Sequence, residues 1–138
     1  MKVIKTFQGT IYPWNCDHMG HMNVRFYGEK FDEAGWNLFA YLGLTAEYFK
    51  KNNCGMVALE QHIKYHSELL PGDTIYIESS VVELKEKIVI LRQVMFNAIS
   101  KKMAAETTVT ILCIDTKRRK AIPLPDFVQK NSLKLFEK

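Results

Sequence analysis

The chain has 138 residues, of which 47% are hydrophobic and 25% charged, and its formal net charge at pH 7 is +4. This composition indicates a single globular domain over residues 1–138 and excludes a disordered chain. The mild positive charge suits an anionic small ligand or simple solubility better than a nucleic-acid-binding surface, which usually concentrates its basic residues.

Membrane-spanning and export segments are not expected from the sequence. No stretch approaches the roughly 20 apolar residues of a membrane-spanning helix, and no apolar segment of signal-peptide length follows the N-terminus. The cysteines Cys16, Cys54 and Cys113 are odd in number and lack a C-x-x-C spacing. Reduced thiols and a cytoplasmic location are therefore the expectation.

The first predicted element is a strand over residues 2–12, where apolar and polar residues alternate, with an interruption near Gly9. Pro13 ends this strand. The polar segment that follows contains Asp17 and, three residues later, Gly20, which allows a tight turn. Asp17 either caps this turn, as Asp commonly does, or carries chemistry.

A long helix is predicted from Asn23 to about Tyr41, because apolar residues recur there at helical spacing. The free N–H groups at its start carry partial positive charge, so Asp17 stands beside a site that can hold an oxyanion. Gly28 and Gly35 are costly inside a helix, at about 1 kcal/mol each relative to Ala. They are seven residues apart and share nearly one face. We expect them to let the helix approach another backbone closely.

A short helix, four strands and a C-terminal helix complete the chain. The short helix is predicted over Ala46–Lys51, the strands over Met56–Ser67, Thr74–Leu84, Ile88–Ile99 and Lys102–Asp115, and the last helix between Pro123 and about Phe136. Short turns link the strands, the first at Pro71-Gly72, and short links predict antiparallel neighbours. This order predicts an α+β fold with one antiparallel sheet and a helix packed on it.

One motif is far more specific than these patterns. The residues Asp17-x-x-Gly20-His21-x-Asn23-x-x-x-Tyr27-x-x-x-Phe31-x-Glu33-Ala34 resemble, without a gap, the signature of the 4-hydroxybenzoyl-CoA thioesterase branch of the hotdog-fold superfamily. Tyr65–Asp73 is similar to that family's second-strand ending and turn, and Lys120–Pro123 to its closing segment. The resemblance covers nearly the whole chain and implies the hotdog fold, in which a five-stranded antiparallel sheet wraps around a long central helix.

The resemblance also implies an activity, the hydrolysis of an acyl-CoA thioester to a free acid and coenzyme A. Asp17 would act as nucleophile or general base, and the backbone N–H of Val24 would polarise the thioester carbonyl. Asn23, His21 and Tyr27 would shape the loop or contact the substrate. No metal or redox cofactor is implied, since coenzyme A is part of the substrate. The family's active sites lie between subunits, which implies a homodimer, or two of them paired as a homotetramer.

Two kinds of residue could instead point to metal or thiol chemistry. The histidines form two pairs, His18 with His21 and His62 with His66. A closed zinc site needs about four ligands, so hydrogen bonding to substrate or simple exposure is favoured for both pairs. Cys16 is either an inert thiol or a nucleophile, and the adjacent Asp17 favours the inert thiol because a nearby carboxylate raises the thiol pKa.

The substrate-binding residues outside the motif are also open to two interpretations. Lys117, Arg118 and Arg119 form a basic loop that either grips the phosphates of coenzyme A or is a solvated turn. Several aromatic residues either line an acyl pocket or fill the core: Tyr12, Trp14, Phe26, Tyr27, Trp36 and Tyr65.

Two functional alternatives to a general acyl-CoA thioesterase remain from the sequence. The Trp-rich Asp-x-x-Gly-His-Met form also resembles betainyl-CoA thioesterases, whose cationic substrate suits aromatic faces. A non-catalytic acyl-CoA or acyl-carrier-protein binding module is the other alternative. The intact Asp17 favours an enzyme, because a pure binding module has no need of this carboxylate.

Overall fold

The computed structural model describes residues 2–136; Met1, Glu137 and Lys138 of the predicted domain lie outside the described residues. Within that range the strands are β1 (Ile4–Thr10), β2 (Cys54–Tyr65), β3 (Thr74–Leu84), β4 (Ile88–Asn97), β5 (Met103–Asp115) and β6 (Lys120–Ala121). The α-helices are α1 (Val24–Tyr41), α2 (Ala46–Asn52) and α3 (Asp126–Phe136). Every predicted element is present, and the largest difference is at the start of α3, three residues after the predicted Pro123.

The strands form one antiparallel sheet in the order β1-β3-β4-β5-β2, with the short β6 paired to β5. The predicted antiparallel α+β architecture is therefore confirmed. The turn at Pro71-Gly72 forms, but the expectation that it joins neighbouring strands is wrong, because β2 pairs with β5 and β3 pairs with β1 and β4. Residues 66–73 can cross the end of the sheet: eight residues span up to about 26 Å, and three strand spacings need only about 14 Å.

The predicted interruption of the first strand near Gly9 is also wrong. The register shift lies between Lys5 and Phe7, whereas Gly9 pairs regularly with Ile75. A Cβ atom on Gly9 would lie 2.8 Å from ring atoms of Phe7. The glycine is therefore needed to make room for this ring, and it does not break the strand.

Helix α1 packs on one face of the sheet through its apolar stripe. The side chains of Phe31, Ala34 and Leu38 are almost fully buried and contact residues of β3, β4 and β5 in two adjoining cores. Burial of each large apolar side chain contributes about 1.5–3 kcal/mol to folding. Gln93 of β4 donates a hydrogen bond from Nε2 to the carbonyl oxygen of Phe31 at 3.1 Å, which fixes the middle of the helix on the sheet.

The two glycines of α1 do not have the role expected of them. A Cβ atom on Gly28 would meet no described atom within 4 Å, and one on Gly35 would meet only Nε2 of Gln93, at 4.0 Å. The expected close approach of another backbone is therefore wrong. Both glycines instead line a cavity between α1 and β2.

Strand β2 forms one edge of the sheet. Among the described strands it is hydrogen-bonded only to β5, and residues 57–62 are exposed to solvent. The exposed side chains include the apolar Val57 and Leu59. A long edge strand with free backbone N–H and C=O groups is a ready template for pairing with another chain.

Candidate active site

The segment before α1 is a tight loop closed by backbone hydrogen bonds. Cys16 and Met22 form an antiparallel bridge, and the Asp17 N–H donates to the carbonyl oxygen of His21 at 3.1 Å. Inside this loop the Gly20 N–H donates to the carbonyl oxygen of Asp17 at 2.9 Å. Gly20 has φ of +82°, a left-handed conformation that disfavours side chains. The sequence Asp-x-x-Gly thus fixes the position of the Asp17 side chain.

Both carboxylate oxygens of Asp17 accept hydrogen bonds. Oδ2 accepts from Nδ2 of Asn23 at 2.7 Å, and Oδ1 accepts from the backbone N–H of Met19 at 2.9 Å. The bond from Asn23, then that from Met19, lower the pKa of Asp17, and the nearby His21 and His18 act in the same direction. Asp17 is therefore ionised at neutral pH.

Asn23 connects this carboxylate to the start of α1. It is the N-cap residue, and its Oδ1 accepts a hydrogen bond from the Arg25 N–H at 3.1 Å while its carbonyl oxygen accepts from Phe26 N–H at 3.0 Å. Within residues 2–136 the Val24 N–H makes no hydrogen bond, and Val24 is 58% exposed. The loop therefore places an ionised carboxylate and a free N–H donor at the positive end of one helix.

A cavity of about 410 Å³ adjoins this loop. It is lined by His21, Met22, Val24, Tyr27, Tyr65, His66, Ser67 and Glu68. The structure thus brings together five residues that the sequence analysis named: His21 in the loop, Val24 and Tyr27 in α1, and Tyr65 and His66 at and just after the end of β2. Sequence reasoning missed Met22, Ser67 and Glu68, because only the pairing of the strands reveals which loops border the cavity.

Two tyrosine rings and two imidazole groups line this cavity. The rings of Tyr27 and Tyr65 meet edge to face, with centroids 5.0 Å apart. Burial, and secondarily Tyr65, raise the pKa of Tyr27 to about 12, so its hydroxyl stays protonated and can donate. Nε2 of His21 lies 3.9 Å from Oε1 of Glu68, and Nε2 of His66 lies 3.0 Å from Oε2 of Glu106.

The basic loop lies far from Asp17 within one chain. Asp115, which precedes the loop, pairs with Cys54 at one end of β2, whereas Tyr65 pairs with Ala105 at the other end. Ten residues of strand separate these pairs, a distance of about 33 Å. The N–H groups of Lys117 and Arg118 donate to Oδ1 of Asp115, each at 2.9 Å, and shape the loop as a turn. One chain alone does not bring Lys117, Arg118 and Arg119 to the cavity beside Asp17.

Metal and thiol chemistry find little support in the described residues. Over residues 2–136 no three or more His, Cys, Asp or Glu side chains are grouped so as to hold a metal ion. Burial, followed by the charges of Asp17 and Asp73, raises the pKa of the Cys16 thiol, which reduces its reactivity. All three cysteines are free. None of the helices in this part of the chain has the length and apolar character needed to cross a membrane.

The other predicted aromatic residues are divided among different surroundings. Tyr12 and Trp14 stack on the surface beside the Asp17 loop, with ring centroids 4.5 Å apart. Trp14 is 70% exposed. Phe26 packs at the edge of the core, and Trp36 lines the separate cavity between α1 and β2.

Comparison with known proteins adds a family match. A family model described as the thioesterase-like superfamily matches residues 11–132. The long-chain acyl-CoA thioesterase FadM of Escherichia coli strain K12 is 29% identical over 115 residues, which cover 80% of this chain and 83% of that protein. The L-carnitine dehydrogenase/betainyl-CoA thioesterase of a Rhizobium species is 22% identical over 112 residues, which cover 81% of this chain but only 22% of that protein.

Among solved structures, SAV2348 from Staphylococcus aureus, determined in complex with CoA, superposes with a TM-score of 0.90 at 19% identity. The match covers 100% of this chain and 89% of that one. At this identity the likeness concerns the fold. It confirms the hotdog fold that the sequence motif implies, with the antiparallel sheet curled around α1.

Proposed function

Because the chain belongs to the thioesterase-like superfamily, we propose that it hydrolyses an acyl-CoA thioester, with Asp17 as the catalytic carboxylate. One observation carries this proposal: the side chain of Asn23, which caps the helix that begins with the free Val24 N–H, also donates to the ionised Asp17 carboxylate. Hydrolysis of a thioester needs these two elements, a group that attacks or activates water and a donor for the developing oxyanion.

In the proposed mechanism the thioester carbonyl oxygen accepts a hydrogen bond from the Val24 N–H. The positive end of α1 stabilises the negative charge that develops on this oxygen. The tetrahedral adduct then collapses by breaking the carbon–sulfur bond, and coenzyme A leaves as a thiolate that takes up a proton from water. A protonated Tyr27 hydroxyl in the adjoining cavity is available to donate to the substrate.

Asp17 can start this reaction in two ways. As a nucleophile it attacks the carbonyl carbon and forms a mixed anhydride, which water then hydrolyses. As a general base it removes a proton from the attacking water. A general base works best when its pKa lies near the operating pH, whereas hydrogen bonds lower the pKa of Asp17. The lowered pKa weakens the carboxylate as a base and as a nucleophile alike, so it does not select between the two routes.

The assembly we propose is a dimer paired through the free edge of β2. An antiparallel pairing about a twofold axis places the Cys54 end of one β2 beside the Tyr65 end of the other. Each cavity then faces Lys117, Arg118 and Arg119 of the partner subunit, which can bind the phosphates of coenzyme A. The 33 Å separation (about ten strand residues) within one chain supports this arrangement in trans.

A betainyl-CoA substrate is the second candidate. Its quaternary ammonium lies only two bonds from the thioester carbonyl, so it would sit beside Tyr27 and Tyr65. Paired aromatic rings favour such a cation, and the nearby carboxylate of Glu68 would add attraction. Comparing betainyl-CoA with uncharged acyl-CoAs in the same assay separates this candidate from the first.

The proposal is tested by Asp17→Asn, which keeps the size of the side chain but removes its negative charge. We expect kcat for release of CoA thiol to fall by at least ~10²-fold, with little change in the melting temperature. Cys16→Ala is the matched control in the same loop, and its turnover should stay close to that of the native protein. A folded Asp17→Asn protein with native turnover would contradict the mechanism and favour the binding module.

A second measurement on the native enzyme separates the two roles of Asp17. A single turnover is run in water enriched in heavy oxygen, and the peptide that contains Asp17 is analysed by mass spectrometry. Heavy oxygen in that carboxylate identifies the mixed anhydride and hence the nucleophilic route.

A further inference from the structure

A second cavity, of about 340 Å³, lies between α1 and β2. Its floor is formed by β4 and β5, where Leu91, Val109 and Ile111 are almost fully buried. Its walls are α1 on one side and the first half of β2 on the other, with Met56 and Ala58 facing the helix. The cavity is therefore a groove with an apolar floor and two walls.

This groove continues the active-site cavity along the same face of α1. Val24 lines the active-site cavity, and Gly28, one helical turn later, lines the groove. On the strand side, Tyr65 borders the active-site cavity, and Gln61 and Ala58 border the groove. The two cavities thus follow one another between the same pair of elements, from the Val24 N–H towards α2.

The two glycines of α1 create the space in the groove. Each costs about 1 kcal/mol inside a helix relative to Ala. Neither glycine has positive φ, and no described backbone atom approaches the Cβ position of either within 4 Å. Conformation and close backbone packing therefore explain neither residue. The remaining physical effect of Gly28 and Gly35 is the room that missing side chains leave.

We propose that this groove holds the acyl chain of the substrate, and that the chain is an unbranched aliphatic one of medium to long length. The inference depends on the proposed thioesterase function, because it starts from the carbonyl at the Val24 N–H. Among the described residues the floor has one amide, Gln93, whose Nε2 already donates to the carbonyl oxygen of Phe31, so the floor offers no free amide N–H to a polar acyl group. The other charged and amide groups that line the groove, Asp32 and Gln61, lie at its exposed rim.

The positions of the glycines give the groove a scale. At a rise of about 1.5 Å per residue, Gly28 lies roughly 6 Å and Gly35 roughly 16 Å from Val24 along the helix axis. An extended chain advances about 1.2 Å per bond, so Gly28 lies near the fifth carbon of the acyl chain and Gly35 near the thirteenth (approximate values). Beyond Gly35 the groove is lined by Trp36 and Phe49, whose rings meet edge to face with centroids 6.2 Å apart.

The test is a comparison of Gly28→Leu and Gly35→Leu on butyryl-, octanoyl- and palmitoyl-CoA. Each methylene that loses its burial lowers kcat/KM by about four-fold. Gly35→Leu should therefore lower the palmitoyl-to-octanoyl ratio of kcat/KM by at least about 10²-fold, since about four carbons lose their site. Gly28→Leu should lower the octanoyl-to-butyryl ratio as well. Ala40→Leu, on the exposed face of the same helix, is the matched control and should change neither ratio.

Three outcomes would overturn the inference. Equal ratios in folded Gly35→Leu and native enzyme would show that the chain does not pass Gly35. A parallel fall of kcat/KM on all three substrates, with a lowered melting temperature, would show that the glycines serve packing alone. Dissociation of subunits by Gly35→Leu in analytical ultracentrifugation would assign the groove to an interface. Failure of the proposed function is a different result, because native enzyme would then hydrolyse none of the three esters or Asp17→Asn would retain turnover.

Discussion

At the scale of single residues, Asn23 has two separate hydrogen-bonding tasks. Its Oδ1 caps α1 by accepting from the Arg25 N–H, while its Nδ2 donates to the Asp17 carboxylate. The first bond supports the helix and the second lowers the pKa of the carboxylate. Because different atoms perform the two tasks, substitutions can separate them.

We predict that Asn23→Ser preserves the cap and loses the effect on Asp17. Ser caps helices about as well as Asn does, but its shorter side chain, with the hydroxyl oxygen at the cap, lacks the amide nitrogen that reaches Asp17. The pKa of Asp17, followed by NMR of its labelled carboxyl carbon, should rise towards the ordinary value of 3.8 while the melting temperature hardly changes. As this pKa rises, the acid limb of the pH profile of kcat/KM should move to higher pH, because the active form of Asp17 is the carboxylate.

Asn23→Ala is the companion variant, and it should raise the pKa of Asp17 in the same way and also destabilise the protein by about 1 kcal/mol. The sign of the pH effect on stability follows from the lowered pKa. The stabilisation from ionised Asp17 is present above the pKa of the unfolded chain and is lost as the pH falls through the lower pKa of the folded one. A pKa of Asp17 that is the same in all three proteins would contradict this account.

At the scale of elements, α1 combines a well-packed face with an unfilled one. Phe31, Ala34 and Leu38 pack on the sheet, whereas Gly28 and Gly35 face the groove. Helix stability is therefore reduced on the face where we place the substrate. Such a trade of stability for function is common in natural proteins.

Gly28→Ala and Gly35→Ala should each raise stability by up to about 1 kcal/mol, because Ala is the better helix former and its Cβ atom meets open space at Gly28 and only an ordinary contact, 4.0 Å from Nε2 of Gln93, at Gly35. Gly43→Ala is the matched contrast and should lower stability. Gly43 has φ of +92°, and a Cβ atom there would lie 2.9 Å from the ring of Phe127. Thermal melts of the three variants measure the effect, and destabilisation by Ala at Gly28 would show that the space there is occupied.

At the scale of the whole molecule, the edge of β2 determines what one subunit lacks. Its residues 57–62 are exposed, and its outer backbone groups are unpaired among the described strands. The proposed pairing of two β2 edges covers this edge and brings the partner's basic loop to each cavity. The active site would then be composed of two chains.

We predict that mixed dimers recover activity from two inactive parents. One parent is Asp17→Asn, and the other replaces Lys117, Arg118 and Arg119 with Ala. In a mixed dimer one cavity combines native Asp17 with the native basic loop of the other subunit, so activity should return to about half of native per dimer. Steady-state assays of dimers purified with two different affinity tags measure the recovery.

The triple variant alone should raise KM for acyl-CoA with little change in kcat, because phosphate contacts bind ground state and transition state alike. The mixed dimers are therefore assayed at acyl-CoA concentrations below KM, where the triple variant is nearly inactive. If the basic loop serves its own chain, mixing produces no recovery beyond the activity of the parents. An unchanged KM would return the loop to its interpretation as a solvated turn.

The sequence by itself determined the local structure and the motif. The periodicity of apolar residues and the preferences of turn residues are local properties. Neighbouring residues were therefore enough to predict the bounds of α1 and β3 and the turn at Asp17–Gly20. The motif pointed to Asp17, Asn23 and Val24 as one site, and the loop and helix cap hold these residues together. The family and the hotdog fold were likewise accessible from the sequence, because the motif is long and ungapped.

Tertiary structure alone decided how the edges pair and where space is left. Short connections predict neighbouring strands, yet β2 pairs with β5, because the eight residues 66–73 are long enough to cross the end of the sheet. The sequence shows that Gly28 and Gly35 lack side chains, but it does not show what occupies the space beside them. The occupant depends on elements that are distant along the chain. For the same reason, the sequence left open whether the basic loop shares a site with Asp17, and the sheet puts the two at opposite ends of one subunit.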